Sequence, residues 1–116
     1  MKQSEIKFII TLDNNNNPEK IDWSATDTSK LSTSKAVMIS LWDAQEKNTL
    51  RIDLWTKDMR VEEMNQFYHQ NLLAMADSFE RSTGEKEAAK DMRKFAQEFG
   101  DRLKILKGSS SNQQNN

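Results

Sequence analysis

The chain has no cysteine, so disulfides, thiolate catalysis and thiolate metal sites are all excluded. It has a single histidine, His69, which removes most zinc, haem and catalytic-triad chemistry. Its three glycines leave no room for a phosphate-cradling loop, and no GxGxxG, P-loop or GxSxG pattern occurs. It also lacks a surplus of either charge: 17 Lys and Arg stand against 18 Asp and Glu, a formal charge of -1. Nucleic-acid binding rests on a basic surplus that neutralises phosphates, so nothing here asks for DNA or RNA. No window approaches the ~20 apolar residues of a membrane span. Glu5 and Lys7 interrupt any signal-like apolar run at the start, so a cytoplasmic protein is expected.

What is present is a 116-residue chain, one domain's worth, with 30% charged and 35% hydrophobic residues. A single domain over 1–107 is expected. The Gly-Ser-Ser-Ser-Asn-Gln-Gln-Asn-Asn tail of 108–116 has no apolar residue to bury and should be disordered.

The first half has period two. Ile6, Phe8, Ile10 and Leu12 alternate with Lys7, Ile9 and Thr11, which gives a strand with one apolar face. Asp13 to Pro18 breaks it as a turn, because Asn tolerates left-handed geometry and Pro cannot donate to a ladder. Lys20 to Ser24 alternates again as a short second strand. Seven of the ten residues from Ala25 to Ser34 are Ser, Thr or Asp, which reads as a long surface loop. Two strong strands follow, joined by the polar connection Asp43–Asn48. Val37, Ile39 and Leu41 share one face with Leu50, Ile52 and Leu54. Met38, Ser40 and Trp42 share the other with Arg51, Asp53, Trp55 and Lys57.

At Asp58 the period becomes helical. Val61, Met64, Phe67, Tyr68, Leu72, Met75, Ala76 and Phe79 form a stripe, with Asp58 as N-cap and Glu62 and Glu63 in the first turn. The helix runs to about Arg81. Ser82 to Glu85 fits a capping box. A second helix follows, with Ala88, Ala89, Met92, Phe95, Ala96, Phe99, Leu103 and Leu106 on one side. Gly100 inside it marks a break or a close approach. Strands grouped before helices predict an α+β fold: a four-stranded antiparallel sheet followed by two C-terminal helices packed on one face. The helices would cover Ile6, Phe8, Ile10, Val37, Ile39, Leu41, Leu50, Ile52 and Leu54.

His69 flanks the helical core stripe and reads as a surface or boundary residue, and no second histidine lies one turn away to make a metal pair. Glu62/Glu63 and Glu85/Glu87 do not share a helix face and read as helix-start charges. No catalytic residue, metal ligand or cofactor is expected. The mixed charges of the second helix read as a solvated face.

The informative feature is the sheet face opposite the helices. Trp42 and Trp55 beside Met38, Arg51 and Asp53 are unusual residues to give to water. Trp and Arg are enriched at interface hot spots and Met at interfaces generally. Either these five residues bind a protein partner, or the indoles lie over neighbouring strands with Arg51 and Asp53 as a polar pair. The partner is another protein or a second copy, since a free sheet edge or an uncovered face can pair with its own copy.

Specific segments resemble a known family. Ser4-Glu5-Ile6-Lys7-Phe8, Pro18 to Trp23 with Ala25-Thr26-Asp27, and above all Ser40 to Asp43 and Lys47 to Met59 are similar to the GldC family of small gliding-motility-associated proteins. The similarity covers roughly residues 3–107. It implies a cytoplasmic accessory protein of gliding and its linked secretion apparatus, and it carries no catalytic residue to this chain. The order of elements is also similar to SecB-like export chaperones, which implies an alternative activity, the binding of unfolded export clients; that likeness is of architecture alone.

Overall fold

The structure is a computed structural model describing residues 1–105, the side chain of Ser29 excepted. It is α+β, with five strands followed by two helices: β1 (Ile6–Leu12), β2 (Pro18–Ala25), β3 (Thr28–Ser34), β4 (Ala36–Trp42), β5 (Thr49–Trp55), α1 (Val61–Thr83) and α2 (Lys86–Arg102). The strands do not make the single four-stranded sheet expected. They form an antiparallel sheet in the order β1-β2-β3 and a separate two-stranded ribbon, β4-β5. The segment expected to be a loop supplies the extra strand. After a tight turn at Thr26-Asp27 it pairs with β2, with Ile21 against Ser34, Asp22 against Thr33 and Trp23 against Ser32. A strand at the edge of a sheet needs ladder hydrogen bonds but no apolar alternation, so a Ser/Thr sequence serves.

The contacts divide into two compact units, Met1–Met59 and the helices from Arg60 onward. In the first unit the fully buried large side chain is Ile21, on the central strand β2. Its neighbour Asp22 is buried as well. It accepts a hydrogen bond from Thr33 Oγ1 at 3.0 Å and faces Lys20 Nζ at 3.6 Å. Of the residues expected to be covered, Ile10, Val37, Ile39 and Leu54 are half-buried, whereas Ile6, Phe8, Leu41, Leu50 and Ile52 are exposed.

Two of this unit's hairpin turns, β1-β2 and β4-β5, are built on an aspartate. Asp13 Oδ1 accepts the backbone N–H of Asn15 (2.8 Å) and of Asn17 (3.0 Å), and Asn16 takes the left-handed conformation at φ 63°. Asp43 Oδ1 accepts those of Gln45 (3.0 Å) and Glu46 (2.8 Å), and Lys47 is left-handed at φ 55°. The carboxylate satisfies amides that the turn leaves without a ladder partner. Sheet and ribbon are tied at Lys57, just past β5. Its backbone N–H donates to Pro18 O (3.3 Å), and its ammonium contacts Asp13 Oδ2 at 3.0 Å.

The second unit is a helical hairpin. Its buried residues are small: Ala76 on α1, and Ala89, Ala96 and Gly100 on α2, joined by His69. Small side chains let two helix backbones approach closely. Arg93 of α2 spans to α1 with Nη2 2.9 Å from Asp77 and 2.8 Å from Glu80, and these two carboxylates, Asp77 first, raise the guanidinium's proton affinity further. The caps differ from expectation. α1 starts at Val61 with Arg60, not Asp58, as N-cap, and the Arg60 N–H donates to Glu63 Oε1 at 2.9 Å. The Ser82–Glu85 box does not form. Ser82 and Thr83 instead donate back to Phe79 O, and Gly84 ends α1 in the left-handed conformation, φ 75°. Leu106, Lys107 and the tail from Gly108 lie outside the described residues.

Candidate functional site

The ribbon's register decides which side chains share a face. β4 and β5 pair with Ala36 against Trp55, Met38 against Asp53, Ser40 against Arg51 and Trp42 against Thr49. Side chains alternate between faces along a strand, and directly paired residues share one. Met38, Trp42, Arg51, Asp53 and Trp55 therefore lie together on one face of the ribbon. Val37, Ile39, Leu41, Leu50, Ile52 and Leu54 lie on the other.

The centre of the first face is polar. Arg51 Nη2 sits 2.6 Å from Asp53 Oδ1 and Arg51 Nε 3.3 Å from Oδ2, a two-pronged pairing along one strand. Arg51 Nη1 also donates to Ser40 Oγ across the ribbon at 3.1 Å. These three contacts hold the guanidinium between Asp53 and Ser40. Both members of the ion pair are well exposed, so it contributes little to stability; its effect is to orient the groups. The indoles stand at opposite ends of this centre. They are separated by the six-residue run of β4, about 20 Å. Trp42 is 68% exposed and Trp55 53%. Met38 is half-buried between them.

Trp55 has company that the sequence did not signal. It lines a shallow, largely apolar depression with Asn17, Pro18, Asp53, Leu54 and Lys57. Pro18 comes from the start of β2, and Lys57 N–H donates to Pro18 O where that strand lies beside the end of β5. The Asp13–Lys57 contact closes the same corner. The Asp13 carboxyl is held below the usual carboxylate value, first by the Asn17 N–H and then by the Lys57 ammonium, and Lys57 is raised in return by Asp13.

His69 is not the surface or boundary residue expected. It is 6% exposed, and its ring lies on Gly100. A Cβ added at Gly100 would sit 2.8 Å from His69 Nε2, so this glycine marks a close approach and not a helix break. The rim around the ring carries Glu62, Asn65, Gln66, Gln70 and Lys104. Among the described residues no group of three or more His, Cys, Asp or Glu side chains could hold a metal ion, and no helix is long and apolar enough to cross a membrane.

A family model described as "Gliding motility-associated protein GldC-like" matches residues 18–105, from the first residue of β2 to the end of α2 and just beyond. The chain belongs to the GldC-like family. The family name links it to gliding motility, as the resemblance of the Ser40–Met59 segment implied, and that segment holds the end of β4, all of β5 and most of the turn into α1. No curated protein and no solved structure matches the chain.

Proposed function

We propose that this protein is a non-enzymatic, cytoplasmic accessory protein of bacterial gliding and its linked protein secretion, and that it acts by binding a protein partner through the first face of the β4-β5 ribbon. The observation that carries this reading is the ribbon's register, with two largely exposed indoles bracketing an oriented Arg51–Asp53 pair. Large rigid aromatics supply contact area at little conformational cost, and an arginine whose plane is already fixed loses less freedom when a partner docks. The depression at Trp55 gives one indole a pocket beside it into which a partner's apolar side chain fits.

The test is affinity capture from gliding cells at native expression, with identification by mass. A component of the gliding or secretion apparatus should be recovered with the wild-type chain. It should be lost with Trp42→Ala/Trp55→Ala while the far-ultraviolet circular dichroism is unchanged. Recovery of that component at the original level by the double variant rejects the site.

A further inference from the structure

Among the described residues each strand of the ribbon has an outer edge that no other strand fills, and of the two only β5 carries charged residues, Arg51 and Asp53. Among the described residues β4 pairs with β5 alone. The hydrogen bonds at its ends show which backbone groups face outward. Thr56 N–H donates to Lys35 O at 2.8 Å, and Asp43 N–H donates to Asn48 O at 2.9 Å, which marks both as hydrogen-bonded rows. Such rows alternate along an antiparallel ladder. The backbone of Val37, Ile39 and Leu41 therefore turns to β5, and that of Ala36, Met38, Ser40 and Trp42 turns outward.

We propose that a second copy of this chain fills this edge, with β4 running antiparallel to the partner's β4 about a two-fold axis at Ile39. Three features of β4 support that occupant. The strand is Ala-Val-Met-Ile-Ser-Leu-Trp, with no charge and no proline, so it has none of the devices that keep an edge from pairing. β3, the edge strand just before it, carries Lys30 and five Ser or Thr residues.

The parity is self-consistent. Centring on Ile39 places Ala36 against the partner's Trp42 and Met38 against the partner's Ser40, all four of them outward-facing, for about eight new hydrogen bonds. Sizes fit as well. The largest side chain of β4 meets the smallest, and Ala36 then lies between its own Trp55 and the partner's Trp42.

The result is a four-stranded sheet whose continuous apolar face joins Val37, Ile39, Leu41, Leu50, Ile52 and Leu54 to their copies. A two-stranded ribbon by itself is marginal in water, and four strands with an apolar face are not. This pairing uses the backbone edge and does not depend on the partner reading of the Trp face, which it leaves open on both copies.

Because the chain has no cysteine, introduced thiols report cleanly. At a non-hydrogen-bonded row the Cα atoms are about 4.5 Å apart, within reach of a disulfide. Under mild oxidation Ile39→Cys should give a linked dimer. Val37→Cys alone and Leu41→Cys alone should form no covalent link, and a mixture of the two should link. Failure of Ile39→Cys to link, or equal linking by Val37→Cys alone, overturns the register. Light scattering on the unmodified chain should read twice 13.5 kDa. Met38→Pro, which removes an outward N–H and no bond to β5, should return it to the single-chain mass with circular dichroism unchanged. An unmodified chain at the single-chain mass at every concentration overturns the proposal itself.

Discussion

The three-stranded sheet and the two-stranded ribbon lie side by side in one unit and are built in opposite ways. The sheet places Ile21 at its centre with no exposure, and it satisfies the buried Asp22 from a neighbouring strand. Its outer strand β3 is nearly all polar. The ribbon has apolar residues on one face and tryptophans on the other, and Leu41, Leu50 and Ile52 are about half exposed. The same chain run, with one bend at Lys35, passes from β3 to β4 and so from one chemistry to the other. A strand can thus be held by its ladder and a few buried neighbours, or it can carry apolar surface that its own unit does not bury. β1, at the sheet's other edge, is of this second kind too, with Ile6, Ile9 and Leu12 about half exposed or more, and strands of that kind have surface to give to another molecule.

That contrast predicts where substitution is costly. Ile21→Ala should lower the unfolding free energy by about 3 kcal/mol, because it empties a closed site. Ile52→Ala, on a side chain 48% exposed, should cost well under half of that in the isolated chain. Urea unfolding of the two variants side by side checks this, and equal losses would erase the distinction between sheet and ribbon. The next effect lies in β3. Thr33→Val keeps shape and strand propensity but removes the donor to Asp22, leaving that buried carboxylate, among the described residues, with the longer Lys20 contact. A loss of about 2 kcal/mol is expected. A neutral result would mean that β3 is held by its ladder alone.

The ribbon was legible in the sequence because strict alternation of apolar and mixed residues fixes both period and face. Met38, Trp42, Arg51, Asp53 and Trp55 could be assigned to one face from spacing, and the register places them there. β3 was not legible. Thr28 to Ser34 has no alternation to detect, since an edge strand with a polar partner such as Asp22 has no apolar face to advertise. Its pairing depends on β2, which is remote from any local pattern. The division into two sheets follows from that extra strand.

His69 was misplaced for a related reason. On its own helix it flanks the apolar stripe, and what buries it is the absence of a side chain at Gly100, on the other helix. The glycine itself was the available signal. Asp58 looked like the N-cap because its residue type suits one, yet its carboxylate is engaged by the Thr56 hydroxyl and the helix begins later. The depression at Trp55 depends on Pro18, which nothing in the local sequence of β5 foretells.

The smallest effect expected is at the corner where sheet and ribbon are tied. Asp13 is held below the ordinary carboxylate value by the Asn17 N–H, the Lys57 ammonium and the Asn15 N–H, in that order. A carboxyl lowered in the folded state binds its proton more readily when unfolded. Its stabilising contribution is therefore whole above about pH 4 and is lost as pH falls through the lower, folded value. Lys57, raised by the Asp13 carboxylate, is the other half of the same ion pair, so its contribution is lost with that carboxylate's charge in acid and again in strong alkali, as pH rises through its own raised value. Asp13→Asn keeps the turn geometry, because an amide oxygen still accepts the two N–H groups, and it removes the charge. The gap in Tm between wild type and Asp13→Asn should then be constant from pH 5 to pH 8 and should close towards pH 2, on the order of the range set by carboxylate titration. A gap that persists unchanged at pH 2 would show that the corner is held by the Lys57–Pro18 backbone bond and not by the ion pair, and would make the tie between sheet and ribbon a matter of ladder geometry alone.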